Sequence, residues 1–251
     1  MTLLDFALNL LLGLALGTLG GLFGIGGGLI AIPALGVLFD LDQQLAQGTA
    51  LVMVVPNVLL ALWRYHQRNR IDPRHALALA LSGLLFALLG AGWAVTLEAE
   101  RMRMGFVGFL LALALYNLSR LYWRPAPALT HLRYPWPWLG VLGSGAGLLG
   151  GLFGVGGAVL AVPVLTGLFG TTQVVAQGLS LALAAPSTGV TLATYALHGH
   201  VDWLLGLPLA LGGLLSISWG VKFAHALPER VLRGLFAGFL LLCAVLLALK
   251  V

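Results

Sequence analysis

Two glycine runs are the residues best placed to do chemistry here without a charged side chain. One is Gly24-Ile25-Gly26-Gly27-Gly28, and the other is Gly154-Val155-Gly156-Gly157-Ala158. Glycine has no Cβ and takes positive φ readily, so Gly24, Gly26, Gly27 and Gly28, like Gly154, Gly156 and Gly157, can turn the backbone inside an apolar tract. A helix that starts after such an elbow presents free N–H groups and a partial charge near +0.5, a combination that binds anions. Close helix packing is the competing reading. It suits Gly13, Gly17 and Gly21, and likewise Gly143, Gly147 and Gly151, each set spaced by four. Packing does not need three glycines in a row, so the elbow is the preferred reading for 24–28, with 154–158 as its partner in the second copy.

Uncharged donors accompany both runs. Gln43/Gln47 and Gln173/Gln177 are spaced to share one helical face. An amide can donate to an anion and still release it; interfacial capping or interhelical bonding would explain the same residues. Pro56-Asn57 and Pro186-Ser187-Thr188 stand in mid-tract, where proline frees a carbonyl and kinks a helix. Asn57 or Ser187 beside such a kink can face a cavity, or can simply satisfy it; Thr49 and Ser180 lie in the same tracts. No Asp, Glu, Lys or Arg falls in the middle of an apolar tract. Such charges usually mark cation pathways and proton relays, so their lack favours an anion.

Asp72 and Asp202 fit helix N-caps. His198 and His200 fit an interfacial loop, and the positions matching them in the first half are Arg68 and Arg70. HExxH, GxSxG and a Ser/His/Asp set are missing, so no catalytic residue, metal or cofactor is expected. The single cysteine, Cys243, allows no intrachain disulfide.

The elements that carry these residues come in duplicate. GGLFGIGGGLIAIP from Gly20 to Pro33 and GGLFGVGGAVLAVP from Gly150 to Pro163 share nine of fourteen positions. The 130-residue offset continues ungapped. It aligns Gln47 with Gln177, Pro56 with Pro186, Tyr65 with Tyr195, Asp72 with Asp202, Gly83 with Gly213 and Arg103 with Arg233. Shared apolar composition cannot align Gln, Pro, Asp, Tyr and Arg in one register. Residues 1–122 form a first transmembrane repeat, 123–137 a Pro- and Arg-rich linker, and 138–251 a second repeat. The first tract of each copy is too long for one span, so it should divide into a span, a glycine elbow and a shorter helix starting near Gly28 or Ala158.

The residues are 60% hydrophobic and 8% charged, with a mean hydropathy of +1.01. A soluble domain is about 25% charged, so this chain cannot clothe a water-facing surface. Leu- and Ala-rich tracts near 20 residues long without alternation specify helices rather than a barrel. The expected fold is an all-α polytopic membrane protein of about eight transmembrane helices, in two tandem four-helix repeats with Gly-broken first helices. The start of the chain reads as a retained first span. Eight spans would put Arg64–Arg74, the linker and Lys250 on one side, against Arg101, Arg103, Lys222, Arg230 and Arg233. That balance points to both termini in the cytoplasm; an even number of spans per copy makes the copies parallel, and an odd number makes them inverted. The net charge of +5 reflects topology, not nucleic-acid binding.

Two copies of a GG-L-F-G-ϕ-GG run leading into Pro, each followed by Q-x-x-A-Q-G and a later Pro, resemble the TauE/SafE family. These are bacterial sulfite and organosulfonate exporters and related anion permeases. The resemblance spans essentially the whole chain. It implies a secondary transporter in the bacterial inner membrane, exporting a small anion such as sulfite or an organosulfonate. Import of another anion, or a non-transport membrane enzyme or assembly factor, are the alternatives. The family motif falls on Gly24, Gly26 to Gly28, Pro33, Gln47, Gly48 and Pro56, and on Gly154, Gly156, Gly157, Pro163, Gln177, Gly178 and Pro186. Ala158 stands where the first copy has Gly28, so the halves are not equivalent. The expected partners are the anion, the lipid bilayer, a coupling proton and a second copy of the chain.

Overall fold

The computed structural model describes residues 3–68, 72–122 and 133–248. Among these it contains ten helices: α1 (Leu3–Phe23), α2 (Gly28–Leu38), α3 (Gln43–Arg68), α4 (Pro73–Ala94), α5 (Ala99–Tyr122), α6 (Pro137–Phe153), α7 (Ala158–Gly167), α8 (Gln173–Leu197), α9 (Trp203–Ala226) and α10 (Glu229–Ala248). Each copy therefore has five helices, α1–α5 and α6–α10, because both first tracts break as expected. α1, α3, α4, α5, α8 and α9 are long and apolar enough to cross a membrane, whereas α2, α6 and α7 are shorter apolar helices. Most of the linker lies outside the described residues.

Local chemistry sets the helix starts. Asp72 and Asp202 cap α4 and α9 by accepting from the N–H groups of Arg74 and Leu205, and Thr172 caps α8 through Val175. α2 and α7 have no side-chain cap; they begin behind Gly27 (φ 93°) and Gly157 (φ 75°), both left-handed.

The copies interlock rather than sit side by side. α1 of the first copy packs most extensively on α9 of the second, and α4 on α6. Glycines make both seams. A Cβ on Gly17 would sit 2.5 Å from Gly213 Cα, and one on Gly147 would sit 2.7 Å from Gly83 Cα. Gly13, Gly17 and Gly21 meet Leu209, Gly213 and Ile217 in ascending order, so α1 and α9 run parallel; α6 follows α4 likewise through Gly143, Gly147 and Gly151. The four-residue spacing is thus a packing device.

α3 and α8 cross the centre antiparallel. Tyr65, near the end of α3, bonds Gln177 near the start of α8, while Tyr195 near the end of α8 bonds Gln47 near the start of α3. Equivalent helices run in opposite directions, so the copies are inverted about a two-fold axis across α3 and α8. Of the two arrangements that the span count left open, the structure takes the inverted one. Each short helix returns the chain toward the end it came from, and the passes per copy become odd.

The inversion re-sorts the charges. Call the end where α1 starts the near end. By chain position the far end collects Arg64, Arg68, Arg74, Arg120, Arg133, Lys222, Arg230 and Arg233, whereas the near end holds Arg101 and Arg103 among the described residues. Asp5, Asp40, Asp42, Glu98, Glu100 and Asp202 lie at the near end. Lys222, Arg230 and Arg233 therefore share an end with Arg64 and Arg74, contrary to the eight-span count. Lys250 lies outside the described residues.

Candidate functional site

The elbows lie against the central helices, with Gly26 and Gly156 facing the middle of α3 and α8. Gly24, Gly26 and Gly27 have φ of 67°, 70° and 93°, and Gly154, Gly156 and Gly157 have 69°, 68° and 75°. A left-handed residue costs an L-amino acid roughly 1–2 kcal/mol, so three in five positions select glycine. Sterics select it again. A Cβ on Gly26 would overlap Val58 of α3, and one on Gly156 would overlap Thr188 of α8. Val58 and Thr188 occupy equivalent, central positions.

The elbows also meet each other. A Cβ on Gly28 would lie 3.5 Å from the Gly154 carbonyl oxygen. From this shared point α2 runs toward the near end and α7 toward the far end. The amino-terminal ends of two half-helices thus converge in the interior, both buried. Their dipoles present partial positive charge where no side-chain charge exists.

Each elbow packs against the glutamine of the opposite copy. A Cβ on Gly24 would lie 2.8 Å from Gln177 Cβ, and one on Gly154 would lie 3.1 Å from Gln47 Cβ. Gln47 and Gln177 are fully buried. Gln177 Oε1 accepts from the Tyr65 hydroxyl at 3.0 Å, and its amide donates to the Leu22 carbonyl at 3.3 Å. Gln47 Oε1 accepts from the Tyr195 hydroxyl at 2.8 Å, but its Nε2 has no hydrogen-bond partner among the described residues. A buried amide donor left unmatched costs roughly 1–3 kcal/mol, so it asks for an acceptor. The asymmetry agrees with the copies being non-equivalent.

Asn57 ties the kink of α3 to its own elbow: Nδ2 donates to Gly26 O at 3.5 Å, and Oδ1 is buried with no hydrogen-bond partner among the described residues. Its equivalent, Ser187, donates to Leu183 O at 2.8 Å, and Ser180 donates to Ala176 O at 2.6 Å. Both hydroxyl protons are used inside α8, as the satisfied-kink reading anticipates. Gly48 admits the loop before α9, since a Cβ there would overlap the His200 carbonyl oxygen. Thr49 fixes the same loop by accepting from the Asp202 N–H at 2.9 Å. Gly178 is buried next to Gln177 in α8.

Sequence reasoning used Tyr65 and Tyr195 only to register the repeat. They are the pair that orients the two glutamines across the copies. The signal available was a phenol preserved at the 130-residue offset inside tracts that are otherwise apolar.

Comparison with known proteins finds a matching family model and membrane transporter relatives. The family model described as "Sulfite exporter TauE/SafE" matches residues 9–247. The chain is 32% identical over 223 residues to a probable membrane transporter protein of Xylella fastidiosa, covering 86% of this chain and 82% of that protein. It is 26% identical over 231 residues to the probable membrane transporter protein YunE of Bacillus subtilis, covering 83% and 85% respectively.

Proposed function

The chain belongs to the sulfite exporter TauE/SafE family of membrane transporters, and from that membership we propose that it is a secondary carrier that exports a small oxyanion, sulfite or an organosulfonate. The anion sits where α2 and α7 begin. The N–H groups that open α2 and α7 and Gln47 Nε2 hold it, with Gln177 and Asn57 close by; those of Ile25, Gly154, Val155 and Gly156 instead close the elbows onto Gly20 O and Gly150 O. The convergence of the two half-helix amino termini beside the unmatched Gln47 amide carries this reading. Inverted copies with broken helices supply the geometry for alternating access: rocking the α1/α9 and α4/α6 seams opens the elbows first to one side, then to the other.

The basic far end faces the cytoplasm, following the excess of Lys and Arg there. The start of α1 and the end of α10 then lie on the opposite side, which reverses the cytoplasmic termini expected from eight spans. No enzymatic step is needed for this function. A proton is the proposed coupling ion.

Radiolabelled sulfite efflux from proteoliposomes, with and without a pH gradient, tests the proposal. The expected result is flux that rises with the gradient, saturates, and falls at least tenfold in Gln47→Leu. Sulfite flux no faster than in protein-free vesicles would overturn the substrate assignment. Unchanged flux in Gln47→Leu would overturn the site.

A further inference from the structure

A second basic feature lies outside the elbow region. At the far end, α3 and α9 enclose a groove of about 520 Å³ lined in part by Leu60, Arg64, Leu215, Trp219 and Lys222. None of its lining residues is acidic. The Arg64 guanidinium lies over the Trp63 ring with its carbon 4.7 Å from the centroid, and Arg64 Nε is buried with no hydrogen-bond partner among the described residues. Arg64 stands four residues before the end of α3, and Lys222 four before the end of α9, about 6 Å inside each helix end. Leu215 and Trp219 are 65% and 59% exposed, so the groove opens sideways onto the apolar belt.

We propose that this groove binds the phosphate headgroup of an anionic phospholipid, with an acyl chain lying along the leucines and Trp219. Three observations combine. Two cations without a carboxylate partner among the described residues call for an anion. Their depth, just inside the helix ends, is that of headgroups, where tryptophan also concentrates. The open apolar wall fits a tail rather than a soluble ion. Basic pockets between transmembrane helices bind anionic headgroups on this principle. The pair is no requirement of the fold, since the equivalent positions in the other copy are Thr194 and Gly92.

Native mass spectrometry of the full chain in detergent, titrated with phosphatidylglycerol and phosphatidylcholine, provides the test. Phosphatidylglycerol should be retained in preference to phosphatidylcholine. Lys222→Gln should lower that preference roughly fivefold, and Arg64→Gln/Lys222→Gln about 25-fold, on about 1 kcal/mol per basic residue near an anionic lipid. Arg74→Gln, at the same end but outside the groove, should leave it unchanged. Equal retention of the two lipids, or an undiminished preference in Lys222→Gln, overturns the proposal. So does displacement of phosphatidylglycerol by millimolar inorganic phosphate, which would make the groove a free-anion site. Lys222 is exposed, so its single variant keeps the test decisive if the double variant fails to fold.

Discussion

Gln47 and Gln177 have the same neighbours by pseudo-symmetry, yet only Gln177 uses its amide protons inside the protein. The amide of Gln177 is tied to Leu22 O, while that of Gln47 is the donor assigned to the proposed anion. Gln47→Leu should therefore abolish flux at a small cost in stability, because the unmatched donor goes with the lost acceptor and the Tyr195 hydroxyl keeps Leu152 O. Tyr195→Phe should act differently. It strips the donor from Gln47 Oε1 and Leu152 O. The expected cost is about 1 kcal/mol, in line with hydrogen bonds inside membrane proteins. Thermal unfolding in detergent alongside a flux assay separates the two outcomes. An unaltered Tyr195→Phe melting curve would show that the phenol does not orient Gln47.

The helices owe their close approach to small residues, but not every glycine serves it. Gly17 faces Gly213 and Ser216 across the α1/α9 seam, so Gly17→Ala must push the copies apart. A fall in midpoint temperature and a loss of flux are expected. Gly145, on α6, has nothing near its missing Cβ, and Gly145→Ala should stabilise by roughly 0.5–1 kcal/mol through helix propensity. Gly156 belongs to a third class. Its φ of 68° and the Thr188 methyl both oppose a side chain. Gly156→Ala should lose most transport, and adding Thr188→Ser should recover part of it by removing that methyl. The left-handed strain of about 1–2 kcal/mol remains in the double variant. Full recovery there would mean that backbone strain at the elbow is immaterial; no recovery would mean that the methyl contact is.

At the scale of the molecule, the inverted arrangement predicts which loops face which side. Cys243 is buried, so cysteines can be introduced at exposed sites with little background. Thr96→Cys, at the near end, should react with a membrane-impermeant maleimide in intact cells. Pro228→Cys, at the far end, should react only after the membrane is opened. The reverse pattern would place both helix termini in the cytoplasm. Reaction of both sites in intact cells would contradict the assignment of the two loops to opposite ends.

The sequence by itself determined the membrane class, the duplication, the five segments of each copy and the positions of both elbows. These are set by local and periodic signals: apolar length, the 130-residue register, and glycine where φ turns positive. It also marked Gln47, Gln177 and Asn57 as candidate uncharged donors, whose burial the structure shows. Only the tertiary structure decided which copy each glutamine serves, that the elbows meet, and that Tyr65 and Tyr195 bridge the halves. It decided the inversion as well, because whether a short broken helix returns the chain depends on what packs against it. The glycine seams that lock α1 to α9 and α4 to α6 join residues far apart in the chain, and no spacing along one strand of sequence encodes a partner on another.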